Sequence, residues 1–236
     1  MAKLCGVDGC PGGWLCIFTD TDTNHFEFRL FYDARDLLAA FHDVDVMAVD
    51  MPIGLSSHGR RRCDEEARTL LQHRHVCIFN APIRQALYAP SRPAASAISE
   101  NVVNRRVGST EWSLYPKIIN LDRELTPLYQ RWCFEVHPEL SFYEWNQQAP
   151  MQNDKKSDLG IAEREGLIDE FWPEIREQII SNVSGENIPN NIVARDDIND
   201  AFAALWTALR IYNGNAVRIP ERPDIDVRGL RTEIWR

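Results

Sequence analysis

The amino-acid sequence predicts an α/β fold built on a mixed five-stranded sheet, three antiparallel strands followed by parallel ones, flanked by helices and carrying a helical insertion. Two observations lead there. Three apolar runs near the start are separated only by turn residues, which makes an antiparallel meander. Two later runs, at 44–50 and 132–136, follow segments of helical spacing, and a helical crossover returns a strand parallel to its neighbour. A chain of 236 residues with 44% hydrophobic content can bury such a core as a single domain, 1–236.

The first strand is Leu4-Cys5-Gly6-Val7-Asp8-Gly9, an apolar run that ends in a carboxylate and breaks at Cys10-Pro11-Gly12-Gly13. Trp14-Leu15-Cys16-Ile17-Phe18-Thr19 runs back as the second strand. After a turn over Asp20–Asn24, Phe26-Glu27-Phe28-Arg29-Leu30 alternates with the period of a half-exposed third strand. Asp33 is placed to cap a helix over Ala34–His42, where Leu37, Leu38 and Phe41 share a face. Val44 to Asp50 is the fourth strand, closed again by an aspartate before Met51-Pro52-Ile53-Gly54. Parallel return sets Asp8 and Asp50 on one edge of the sheet.

Residues 55–131 read as a mostly helical insertion suited to a substrate-facing lid. A charged helix opens at Arg60–Arg68, and helical patterns over Ala94–Val107 and Leu114–Tyr129 are separated by Pro90, Pro93 and Gly108. Trp132 to Val136 resumes the sheet, with Glu135 and His137 two residues apart on one face and Pro138 closing the strand. Gln147–Lys156 reads as a loop leading into a helix through Asp158, Ile161 and Leu167, and Ser181–Asn191 as a second loop. From Ala194 a long helix repeats Asp197, Asp200, Ala201, Ala204 and Ala208 at steps of three and four. Two carboxylates thereby share a face with small residues that can bring backbone close to a sheet. The tail should fold back through Leu230, Ile234 and Trp235.

Composition narrows the function classes. A net charge of -9 speaks against binding nucleic acid mainly by coating phosphates, although carboxylates that hold a divalent ion inflate that count. No apolar stretch reaches membrane-spanning length, and Met1-Ala2-Lys3 opens no secretory segment; a cytoplasmic protein without membrane partners is the expectation. Six cysteines without a regular framework suit reduced thiols. His73, His75 and Cys77 alternate and would share a face if extended, yet the spacing fits no standard zinc pattern.

Each acid alone has an ordinary explanation: Asp8 can cap its own turn, and Asp196 and Asp197 suit a helix N-terminus. Together, Asp8, Asp50, Glu135, Asp197 and Asp200 come from separated segments that can converge, and an all-carboxylate group selects Mg2+ or Mn2+. Two such ions about 4 Å apart would support phosphodiester hydrolysis. Arg60, Arg61, Arg62 and Lys155 are candidate cations for the phosphates of a nucleic acid or nucleotide, and His137 a candidate proton shuttle.

The order of strands, acids and closing helix resembles the ribonuclease H-like superfamily. The phrases Gly6-Val7-Asp8-Gly9-Cys10-Pro11-Gly12-Gly13-Trp14, Asp50-Met51-Pro52-Ile53-Gly54, Glu135-Val136-His137-Pro138-Glu139 and Asp196-Asp197-Ile198-Asn199-Asp200-Ala201 resemble the DUF429 family. Pro82, Lys117 and the closing Arg231-Thr232-Glu233-Ile234-Trp235 extend the likeness over nearly the whole chain. It implies a metal-dependent nuclease in which Asp8 resembles the first-strand bridging aspartate, Asp50 the fourth-strand carboxylate, and Asp197 with Asp200 the paired acids of the last helix. Lys117 joins the substrate-binding candidates on the same ground. The core is also shared by actin-like and sugar-kinase phosphotransferases, whose phosphate-cradling turn Gly9, Gly12 and Gly13 could supply, and a non-catalytic binding module is a third class.

Overall fold

The computed structural model describes residues 2–23 and 25–236; Met1 and Asn24, the last residue of the expected turn, lie outside the described residues. In chain order the strands are β1 (Lys3–Cys10), β2 (Gly13–Asp20), β3 (His25–Phe31), β4 (Val46–Val49), β5 (Cys133–Glu135), β6 (Arg218–Ile225) and β7 (Arg231–Trp235). The helices are α1 (Ala34–Ala40), α2 (Arg62–Leu71), α3 (Arg84–Leu87), α4 (Arg92–Val103) and α5 (Ser109–Glu124), then α6 (Pro138–Trp145), α7 (Asp158–Phe171), α8 (Ile175–Gly185) and α9 (Arg195–Tyr212). Among the described residues no helix is long and apolar enough to cross a membrane.

The chain forms two compact units, one of Met1–Met51, Trp132–Val217 and Trp235–Arg236, the other of Pro52–Arg131 and Arg218–Ile234. The first holds the α/β layer. Its sheet has the order β3-β2-β1-β4-β5, antiparallel from β3 to β1 and parallel from β1 to β5, the mixed five-stranded sheet the sequence predicts. Asp33 caps α1 by accepting from the Arg35 amide, as expected.

The close approach of α9 to β1 organises this unit. Gly6 lacks the Cβ that would lie 2.2 Å from both the Ala201 carbonyl oxygen and the Leu205 nitrogen, so helix backbone rests directly on strand backbone. Ala201, Ala204 and Ala208, the stripe read from the sequence, are fully buried there. Behind them Trp206 stacks on Trp145 of α6 at 4.7 Å between centroids, and Trp172 packs edge-on to Trp145.

Several elements differ from the expectation. The fifth strand spans only Cys133–Glu135, because His137 turns to cap α6: its Nδ1 accepts from the Glu139 amide, and Pro138 fits the first helical turn, where no amide is needed. Residues 181–185, read as loop, complete α8. The alternation of His73, His75 and Cys77 does not survive, since Gln72–Cys77 is a 3-10 helix and the His75 ring bonds the Gln72 carbonyl. Cys5 and Cys16 are joined as a disulfide, correcting the expectation of six reduced thiols. The β1–β2 register pairs Cys5 with Phe18 and Val7 with Cys16, which sets the two cysteines diagonally on one face, a relation their spacing alone does not reveal. Cys10, Cys63, Cys77 and Cys133 remain thiols, and burial pushes Cys133 up to about 12.

The second unit holds α2–α5 and the β6–β7 hairpin. The four-residue α3 has little backbone bonding of its own and is tied by ion pairs instead. Arg84 grips Asp122 of α5 through Nη1 at 3.0 Å and Nη2 at 3.1 Å, and it also pairs with the fully buried Asp226 carboxylate. Tyr88 donates to Asp122 at 2.6 Å, and Arg228 pairs with it as well. The expected fold-back of the tail occurs as this hairpin, with Leu230 and Ile234 buried, while Trp235 meets Phe134 edge-on within the first unit.

Candidate metal centre

Three elements of the first unit deliver a carboxylate to one point. Asp8 stands near the end of β1 and Asp50 immediately after β4; their strands run parallel with Val7 opposite Val49, and the Asp50 amide donates to the Val7 carbonyl at 2.9 Å. Parallel register therefore aligns the two acids side by side. Asp200 comes from the second turn of α9, whose closeness to β1 is set by Gly6. One carboxylate oxygen from each of Asp8, Asp50 and Asp200 lies within 4.8 Å of the others. Among the described residues this is the one group of three or more His, Cys, Asp or Glu side chains so gathered.

The electrostatics are those of a site short of positive charge. Burial raises Asp8 well above the usual carboxylate range, and the negative charges of Asp200, Asp50 and Asp197 push the same way. Asp50 is raised to about 7 by burial and by Asp200, against the opposing Lys155 charge and a hydrogen bond with Asp8. Asp197 is raised by burial, although its Oδ2 accepts from the Ala194 amide at 2.7 Å. Lys155 Nζ is 2.5 Å from Asp200 Oδ2 and 4.0 Å from Asp196 Oδ2; the Asp200 charge holds the ammonium above its ordinary range. One lysine cannot neutralise three carboxylates.

The protein family described as "Protein of unknown function (DUF429)" matches residues 6–225. The chain belongs to the DUF429 family. No curated protein and no solved structure matches it.

Within this DUF429 chain the remaining sequence candidates divide. Glu135 is paired in register with Val49, one position short of the Asp8 and Asp50 row, so the pleat turns it to the face away from Gly6 and α9. It raises Asp50 through its charge without joining the triangle. Asp197 acts likewise on Asp8 while bonding the Ala194 amide at the start of α9. His137 caps α6, and because Nδ1 accepts an amide hydrogen, its neutral ring carries the proton on Nε2.

Arg60, Arg61, Arg62 and Lys117 belong to the second unit. Arg61 is buried and forks onto Asp64 through Nη2 at 2.5 Å and Nε at 3.2 Å; Arg62 forks onto Asp224 at 2.7 and 2.8 Å. The Gly12 amide of the glycine turn donates to the Ile192 carbonyl at 3.0 Å and is spent there rather than on a phosphate. Sequence reasoning placed Lys155 toward substrate and missed its pairing with Asp200; its position in a polar loop gave no sign of an acid 45 residues on.

Proposed function

We propose that this protein is a divalent-metal-dependent phosphodiester hydrolase, a nuclease with a ribonuclease H-like fold, in which Asp8, Asp50 and Asp200 hold Mg2+ or Mn2+. The observation that carries the reading is the triangle of carboxylate oxygens within 4.8 Å, drawn from β1, the end of β4 and α9. The donor set fits the ion: oxygen ligands only, with mutual repulsion that a divalent cation relieves. The sheet order β3-β2-β1-β4-β5, with acids at β1 and β4 and on the closing helix, is the arrangement expected of the ribonuclease H-like superfamily.

When bound, the ion supplies Lewis acidity to a phosphoryl group and lowers the pKa of an attacking water. The chain's own groups do the rest. Gly6 and the alanine stripe fix the distance between Asp200 and Asp8, so the ligands are positioned before substrate arrives. Lys155 orients Asp200 and, a third exposed, offers its ammonium to a phosphate oxygen. Asp197 and Glu135 add the negative potential that draws a cation to the triangle.

The test is cleavage of structured and single-stranded DNA and RNA with Mg2+, with Mn2+ and with chelator, alongside Asp200→Asn. Metal-dependent cleavage that falls about 100-fold or more in Asp200→Asn is expected. Cleavage at an undiminished rate in that variant, or Mn2+ binding with no hydrolysis of any substrate, would overturn the reading.

A further inference from the structure

We infer that two copies of this chain associate through β3, their strands pairing antiparallel about Phe28 to join the two sheets edge to edge. Two features carry this: an open strand edge and a register that complements itself in charge.

Strand β3 is an outer strand of the five-stranded sheet, seven residues long and paired with β2 without a bulge, from Trp14 opposite Phe31 to Asp20 opposite His25. Backbone direction alternates along the sheet. The Asp45 amide donates to the Lys3 carbonyl and the Asp50 amide to the Val7 carbonyl, so the odd residues of β1 face β4 and the even ones face β2. Carried through the two registers, this alternation turns the backbone of His25, Glu27, Arg29 and Phe31 toward β2 and sends the amides and carbonyls of Phe26, Phe28 and Leu30 outward. Among the described residues nothing bonds those outward groups.

Folded proteins usually blunt such an edge with proline, lysine, a bulge or a very short strand. At the opposite edge β5 has three residues, and β6 carries Pro220 and Pro223. Strand β3 has none of these devices, and its Phe28, Leu30 and Phe31 are left half-buried.

Charge then selects both the occupant and the register. Antiparallel pairing through the outward groups must set Phe26, Phe28 and Leu30 against one another. Centred on Glu27, it would oppose that acid to its own copy and His25 to Arg29; centred on Arg29, it would oppose two arginines. Centred on Phe28, it matches the whole strand: Phe26 meets Leu30, Phe28 meets its copy, and Glu27 meets Arg29 twice. Those two ion pairs fall at the positions without hydrogen bonds, where facing strands come closest. Both charges are available. Glu27 is half exposed and faces His25 at 3.5 Å, whereas Arg29 lies over the Phe18 ring and pairs with no acid among the described residues.

The experiment is sedimentation equilibrium of the full chain, of Glu27→Arg, of Arg29→Glu, and of the two variants mixed. A ladder of seven residues is well below a standard interface, so the wild type should dimerise reversibly with Kd of about 1–100 μM. Each variant alone sets like charges opposite each other and should weaken the dimer about tenfold or more. Mixed in equal amounts, the two regain both ion pairs and should form a heterodimer of near wild-type affinity, which a misfolded variant could not do. A wild type that stays monomeric to about 500 μM would overturn the proposal and leave the edge to an extended segment of another protein. So would dimers that neither substitution weakens, or a mixture that associates no better than its components.

Discussion

Asp50 is held near 7 by burial and by the charge of Asp200, whereas an aspartate in the unfolded chain titrates near 3.9. Its contribution to stability is therefore complete below about pH 4 and lost as the pH rises through about 7, where the folded protein must give up a proton it prefers to keep. Asparagine in its place mimics the protonated acid. Asp50→Asn should thus stabilise the metal-free protein at pH 8, by about 1–2 kcal/mol once relaxation and partial solvent access reduce the full shift. It should also abolish any stabilisation by Mn2+. Thermal unfolding in chelator and in Mn2+ measures both, and a lower metal-free melting temperature for the variant would contradict the argument. These residues were legible in sequence because Asp8 and Asp50 each end an apolar run and Asp200 falls on a small-residue stripe. Lys155 and Glu135 were not, since one depends on a loop's path and the other on a pleat that only register reveals.

At the scale of elements the site depends on one contact, α9 on β1. Gly6→Ala would put a methyl 2.2 Å from backbone atoms of Ala201 and Leu205, and because backbone rather than a flexible side chain stands there, the helix must move outward. We expect a loss of about 3 kcal/mol in denaturant unfolding and, since Asp200 travels with α9, weakened Mn2+ binding even in the folded fraction. Unchanged stability would mean that the helix does not rest on Gly6. The same scale explains which elements could be read in advance. Strands β1 to β4 and α1 were marked by periodicity and by turn residues or a cap. Helix α6 was hidden because Pro138 signals both the end of a strand and the first turn of a helix. Strand β6 was hidden because Pro220 and Pro223 argue against a strand, although a two-stranded hairpin has an open edge that tolerates them. The C-terminal turn of α8 was taken for loop because serine and asparagine weigh against a helix interior.

For the molecule as a whole, the two units should answer acid and base with opposite sign. In the first, Asp8, Asp50 and Asp197 are all raised, so their combined contribution favours the fold at low pH and fades as pH rises through neutrality. In the second, burial pushes Asp122 up, but hydrogen bonds from Arg84 and Tyr88 and the charges of Arg84 and Arg228 outweigh it and hold the carboxyl low. A depressed carboxyl contributes stability above its unfolded pKa and loses it as pH falls through the folded value, below about pH 4. Metal-free stability should therefore peak near the unfolded aspartate pKa, at about pH 4. Mn2+ should lift only the alkaline side, by about 2.7 kcal/mol at one hundred times its Kd, because it binds carboxylates that acid would protonate. Unfolding followed from pH 3 to 9 with chelator and with Mn2+ reads this directly: if the units unfold in separate transitions, Mn2+ should move only the first unit's above pH 5, and acid should weaken the second unit's first. A pH profile that Mn2+ shifts equally at every pH would place the ion somewhere other than Asp8, Asp50 and Asp200.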